Sequence, residues 1–218
     1  MKNKLIWIII LMQIVTTGKA QDEKPGLFLS VRDFKSNRIS LPVDCQHRKK
    51  AIRVRDFFLH PYVYIHTTGG KQKIPEDQVY AFRDCRNNLY RLQDGKAYLI
   101  CDTSALKIYR YTHWKTIKVR TSRMLRFRDK RVTDYFFSKN DSSEVFLLTV
   151  DHLTAAFKGN DQVLSLLRKN FSDDRSLRKK QNGRFLINQY LSGDFEKEPG
   201  GQDLPINGSK FRNSIIKK

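Results

Sequence analysis

The sequence predicts an α+β fold: an antiparallel β-sandwich or barrel-like domain followed by a short C-terminal helical segment. Two observations carry that prediction. Between 27 and 149 the chain is a succession of short segments that alternate apolar and polar residues and are separated by turn residues, the mark of many short antiparallel strands. After Thr149 the apolar residues fall three and four apart instead, the helical period. Composition permits such a fold. Of the 218 residues only 39% are hydrophobic and 29% are charged, yet 14 Phe and 9 Tyr supply a core. That aromatic content argues against a wholly disordered chain.

The strands are read in order. Segments 28–34 and 39–43 are weak candidates and 51–58 is a better one. Segment 61–66 alternates, with Val63 and Ile65 on one face and Tyr62, Tyr64 and His66 on the other, and Thr67-Thr68-Gly69-Gly70-Lys71 reads as the turn after it. Segments 79–83, 89–93, 97–101 and 106–111 follow. Asp94-Gly95 marks a hairpin, because a tight turn needs positive φ and Gly supplies it. Segments 116–120, 124–128, 134–137 and 145–148 complete the β-region. Three helices are expected beyond it. The first is capped by Asp151 and ended by Gly159. The second is capped by Asp161 with Val163, Leu164, Leu167 and Phe171 as its stripe. The third is capped by Asp173 and carries Leu177, Phe185, Leu186 and Tyr190, with Gly183 weakening its middle. Helices this short need a surface to pack on.

The expected organisation has four parts. In residues 1–20, Lys2 and Lys4 precede an eleven-residue apolar run, and Gly18-Lys19-Ala20 places small residues at a cleavage site. That is the layout of a secretory signal peptide, and the run is about half the roughly 20 residues a membrane span needs. Residues 21–150 form the basic β-domain, 151–192 the helical segment packed on it, and 193–218, with Pro199, Pro205 and scattered charges, a disordered tail. The expected location is secreted or periplasmic, with no transmembrane span after signal cleavage.

Export directs thiols towards pairing. Cys45, Cys85 and Cys101 cannot all pair within one chain, so one disulfide and one odd thiol is the simplest count. Cys85 and Cys101 close the shorter loop and are the candidate pair. Against them, a simple meander would put a third strand between theirs, a separation of about 9–10 Å that exceeds the Cα reach of about 7 Å. Three buried free cysteines are the alternative.

Three segments carry a resemblance. They are Val79-Tyr80-Ala81-Phe82-Arg83-Asp84 with Leu89-Tyr90-Arg91; Tyr135-Phe136-Phe137-Ser138-Lys139-Asn140; and Leu148-Thr149 with Leu153-Thr154-Ala155-Ala156-Phe157 and Asn160. Over about residues 50–175 the chain resembles a group of uncharacterised secreted β-rich proteins of Gram-negative bacteria of the Bacteroidota type. Members often carry a Tyr-Asp pair in the last helix, where this chain has Lys180-Gln181. The group has no established activity, so the resemblance implies a secreted β-rich fold and no site residues.

Motifs of chemistry are sparse. No His-Glu-x-x-His, Cys-x-x-Cys or Gly-x-Ser-x-Gly segment occurs, so no catalytic residue, metal site or cofactor is assigned. Cys45-Gln46-His47 is one close pair of ligand types and falls short of a metal site. Thr68-Gly69-Gly70-Lys71 lacks the rest of a phosphate loop and reads as a hairpin turn. Val31-Arg32-Asp33-Phe34 recurs as Val54-Arg55-Asp56-Phe57, a weak repeat of strand-end residues. An enzyme would need a cleft that holds His60, His66 or His113 near a carboxylate or Cys.

Charge is the feature with binding content. The net charge is +20, of which +12 lies on 21–150, and residues 105–131 hold ten Lys or Arg against one acid, Asp129. Lys118 and Arg120 share one strand face opposite Ile117 and Val119. Arg126, Arg128 and Lys130 share another opposite Leu125 and Phe127. The reading is a single basic sheet face. Arg53, Arg55, Lys118, Arg120, Arg126, Arg128 and Lys130 are its anion-binding candidates, and Tyr62, Tyr64, Tyr109 and Tyr111 are sources of stacking or sugar contacts. The expected partner is an anionic envelope polymer such as lipopolysaccharide, an acidic glycan or extracellular DNA; sequence-specific nucleic-acid binding does not suit an exported protein. A protein-binding structural role in the envelope, through an exposed sheet edge, is the alternative. The bland reading is a solvated face that keeps edge strands apart.

Overall fold

The structure, a computed structural model, describes residues 24–46, 51–54, 62–120 and 124–193. The expected signal peptide lies outside them, as do Arg55, His47, His60 and all of the expected tail but Gly193. The fold is α+β, mostly antiparallel sheet. Its strands are β1 (Gly26–Phe28), β2 (Leu41–Pro42), β3 (Ile52–Val54), β4 (Tyr62–Thr67), β5 (Gly70–Pro75), β6 (Ala81–Arg83), β7 (Leu89–Gln93), β8 (Lys96–Asp102), β9 (Lys107–Arg120), β10 (Leu125–Ser138), β11 (Phe146–Leu147), β12 (Lys180–Gln181) and β13 (Arg184–Phe185). Its helices are α1 (Val31–Lys35), α2 (Val150–Ala156), α3 (Asp161–Asn170) and α4 (Leu186–Ser192). Eight strands form one sheet in the order β11-β10-β9-β8-β7-β6-β1-β2, and β3-β4-β5 form a second.

The Asp94-Gly95 and Thr68-Gly69 turns form as expected. Asp94 and Gly95 take φ of 51° and 73°, and Gln93 pairs with Lys96 across the turn. Several elements differ from the sequence reading. Segment 28–34 is not a strand: β1 ends at Phe28, and Ser30 caps α1 by accepting from the Asp33 N–H at 3.1 Å. The Val-Arg-Asp-Phe repeat is therefore not a repeat of strand ends in its first copy. Segments 106–111 and 116–120 fuse into β9, and 124–128 and 134–137 into β10, each of 14 residues. The caps of α2 and α3 are Thr149 and Asn160, one or two residues before the Asp of each first turn. The expected third helix is replaced by the β12–β13 hairpin and α4. Asn182-Gly183 turns that hairpin with φ of 51° and 80°.

Directly paired residues of antiparallel strands lie on the same face, so the register Leu27–Phe82–Tyr90–Leu99–Arg110–Tyr135 traces one face of the large sheet. Two apolar clusters cover it. At the β1–β7 end the small sheet packs through Val63 and Ile65 against Leu27, Phe82 and Leu92, a sandwich over part of the face. At the β9–β10 end Ile108 and Phe137 meet Leu153, Leu167, Phe171, Leu177, Phe185 and Ile187, so the helical segment packs on the β-domain. On the second face Phe34 of α1 meets Phe28 and Tyr80 edge-on, and the loop after β10 folds back so that Tyr80 donates to the Asp141 carbonyl.

That second face buries Arg91. Its guanidinium donates to Tyr109 and Ser138 hydroxyls, each at 3.2 Å, and to the Ser143 carbonyl at 2.7 Å, and it lies over the Tyr80 and Tyr109 rings. Burial pushes the Tyr80 hydroxyl well above the usual tyrosine range, so the Tyr80 ring under Arg91 is a neutral phenol. Replacing Arg91 by Met roughly keeps the volume and takes the donor from the Ser143 carbonyl, while the Tyr109 and Ser138 hydroxyls keep each other at 2.8 Å. A loss of about 2 kcal/mol is expected, read as a lower urea midpoint with an unchanged slope.

Candidate functional site

The basic stretch builds a projecting ribbon. β8 accompanies β9 only as far as the Leu99–Arg110 pair, whereas β9 and β10 continue together to Arg120–Leu125. Beyond Tyr111 the two strands therefore pair only with each other among the described residues. From Thr112 to Arg120 this free ribbon extends roughly 27 Å. Thr, Ile, Val and Trp favour extended backbone here. Cross-strand bonds help hold it: Thr112 and Thr133 hydroxyls meet at 3.1 Å, and Thr116 donates to Asp129 at 2.6 Å. Residues 112–133 carry eight Lys or Arg and that single acid.

The register corrects the reading of one basic face. Lys118 pairs with Phe127, whereas Arg126 pairs with Val119, Arg128 with Ile117 and Lys130 with Lys115. Four residues, 121–124, separate Arg120 from its partner Leu125, so each even-numbered residue of β9 meets an odd-numbered residue of β10. The cations of the two strands consequently lie on opposite faces. One face holds Trp114 and Arg131, Thr116 and Asp129, then Lys118 and Phe127, with Arg120 beyond. The other holds Lys115, Lys130, Arg128 and Arg126 around Ile117, Val119 and Val132. All seven described cations of the ribbon are exposed, as are Trp114 at 72% and Phe127 at 63%. Arg53 is exposed too, but it pairs with Tyr64 on the outer side of the small sheet and belongs to neither ribbon face.

A groove of about 390 Å³ opens at the root of the Trp114 face, between the small sheet and the large one. Arg110, Thr112 and Arg131 line its ribbon side, and Asp84, Tyr90 and Phe82 its floor and far wall. Phe82 and Tyr90 stack with centroids 4.8 Å apart. Burial, with Asp84 nearby, pushes the Tyr90 hydroxyl up, partly opposed by Arg110. Asp84 spends its carboxylate on the adjoining turn, accepting from the Arg86 and Asn88 N–H groups at 2.8 Å and from the Asn88 amide at 3.0 Å. The two arginines give the mouth of the groove its positive sign.

Other expectations fare differently. The Cys85–Cys101 pair does not form. Cys45 bonds Cys85, with Cα atoms 5.7 Å apart, and Cys101 is the free thiol. β7 stands between the strands of Cys85 and Cys101, and the chain after β2 brings Cys45 to the β6–β7 turn instead. Burial pushes the Cys101 thiol up, so it stays protonated and points to the Leu99 carbonyl at 3.6 Å. Tyr109 is buried and spent on Ser138 and Arg91. Tyr62 and Tyr64 lie under the Lys73 and Lys71 ammonium groups. His113 stacks on Tyr111 and lies 3.9 Å from Asp134, on the side of the ribbon away from the groove. Among the described residues no three of His, Cys, Asp or Glu gather, and no helix is long and apolar enough to cross a membrane.

Trp114, Phe127, Arg110 and Arg131 were not singled out by the sequence reading. The parity of the loop between β9 and β10 is the signal that brings them together. Comparison of the chain with protein-family models, curated proteins and solved structures finds no match.

Proposed function

We propose that this chain is a secreted or periplasmic, non-catalytic protein that binds an anionic envelope polymer through its ribbon. The observation that carries the reading is the free two-stranded ribbon itself, with eight cations and one acid and with its cations on both faces. Like charges held this close repel, and Lys115 directly opposite Lys130 is destabilising, so a surrounding polyanion lowers the energy of the arm. The Cys45–Cys85 bond supports an oxidising compartment. Lipopolysaccharide and acidic glycans offer the phosphate and carboxylate groups that guanidinium groups bind in bidentate fashion.

The test uses the chain lacking residues 1–20, on immobilised heparin and on lipopolysaccharide. Salt-sensitive retention is expected, stronger than that of a charge-matched control protein. Replacing Lys118, Arg120, Arg126, Arg128 and Lys130 by Gln should flatten the slope of log affinity against log salt by roughly four, at just under one per cation. Retention no better than the control, or unchanged by the five substitutions, would overturn the proposal.

A further inference from the structure

We infer that the Trp114–Phe127 face of the ribbon inserts into the headgroup layer of an anionic lipid surface. This inference rests on the anionic-ligand reading above and names the class of ligand. A sulfated polyanion such as heparin is held chiefly through cations, whereas two aromatic side chains held open to water also suit an apolar layer. On this face the aromatics are interleaved with cations: Trp114 opposite Arg131, and Phe127 opposite Lys118. The two rows are roughly 13 Å apart along the strands. The acid between them, Asp129, is held by Thr116 at 2.6 Å and so lies against the ribbon. A two-stranded arm thus presents two apolar anchors flanked by long cationic side chains.

That arrangement suits a lipid interface. Indole settles where one end is apolar and the other wet, and Lys and Arg stems reach along apolar surface while their charges stay with phosphates. Basic side chains attract an anionic surface within a Debye length, and apolar insertion then adds to that attraction. The opposite face differs. Its Ile117, Val119 and Val132 are only partly exposed, whereas Trp114 and Phe127 stand out on theirs. The groove lined by Arg110 and Arg131 opens beside Trp114 and places one more guanidinium group, that of Arg110, near a headgroup.

Trp114 and Trp7 are the two tryptophans of the chain, so without residues 1–20 Trp114 is a solitary reporter. Its emission is to be followed against phosphatidylcholine vesicles with and without phosphatidylglycerol, and against soluble heparin. With the phosphatidylglycerol vesicles a blue shift is expected, together with quenching by lipids brominated on their acyl chains. Heparin should cause no blue shift. Phe127→Ser should weaken vesicle partition by roughly tenfold and leave heparin retention unchanged. Heparin retention without vesicle partition would overturn the inference and leave the ribbon as a binder of soluble polyanions. Partition without acyl-chain quenching, or unaffected by Phe127→Ser, would overturn insertion in favour of adsorption by charge alone. Failure to bind either probe would remove both readings.

Discussion

Replacing Cys85 by Ser is expected to lower the stability of the folded chain by about 4 kcal/mol. The Cys45–Cys85 bond joins residues 40 apart in sequence, and the loop it closes contains the whole of the small sheet, β3 to β5. In the unfolded chain the crosslink removes the freedom of that loop, worth about 4 kcal/mol for a loop of this length. In the folded chain it ties the segment after β2 to the β6–β7 turn, beside the cluster through which Val63 and Ile65 reach Phe82 and Leu92. Denaturant titration checks the value. The parent chain in reductant should fall to the level of Cys85→Ser, and reductant should leave that variant unchanged. Cys101→Ser should behave like the parent under both conditions, because Cys101 is outside the bond. A loss below about 1 kcal/mol would mean that the two cysteines are not joined in the parent chain.

How much of this was legible in the sequence depends on whether a feature is local. The Asp94-Gly95 turn was legible because positive φ is a property of the residues themselves. The Asn182-Gly183 turn carries the same chemistry. It was overlooked because the apolar residues around it, Leu177, Phe185, Leu186 and Tyr190, also fit a helical period. The long strands were read as pieces because Thr112-His113-Trp114-Lys115 carries no apolar–polar alternation, Trp114 and Lys115 both standing exposed on a free ribbon. The charge alternation within each ribbon strand was legible, but its sum over two strands was not. A shift of one residue in register moves a whole strand's side chains to the other face, and no single strand encodes that parity. The disulfide divides in the same way. Strand spacing argued against Cys85–Cys101, whereas choosing Cys45 needs the path of the chain around the small sheet, a long-range property.

Asn188→Ala is expected to cost about 3–4 kcal/mol, and the loss should be concentrated where the helical segment meets the sheet. Asn188 is fully buried in α4. Its amide oxygen accepts from the Leu106 N–H at 2.8 Å, and its amide nitrogen donates to the Leu106 carbonyl at 2.9 Å. Leu106 is itself buried, so removing the amide strands one donor and one acceptor, each at about 1–3 kcal/mol. Asp102 belongs to the same joint. Burial tends to raise its carboxyl, but bonds from Ser104, the Phe185 N–H and Asn188 outweigh it and hold the group below the usual carboxylate range. Without Asn188 that carboxyl should move up towards its ordinary value, which nuclear magnetic resonance titration can follow. Asn188→Asp separates the two Leu106 bonds: a carboxylate still accepts from the N–H, but it cannot donate to the carbonyl and adds a buried charge next to Asp102. It should therefore be no more stable than the Ala variant. Hydrogen exchange should show the loss in α3 and α4 before the large sheet, since Leu167 and Ile187 reach the core only through this docked segment. β9 begins at Lys107, immediately after the joint, and the ribbon is its continuation. The ribbon's exposed cations and aromatics make no contact with Asn188, so polyanion binding by the folded variant should match the parent. A stability change under about 1 kcal/mol would mean that water supplies the missing partners and that apolar contact alone holds the segment to the sheet.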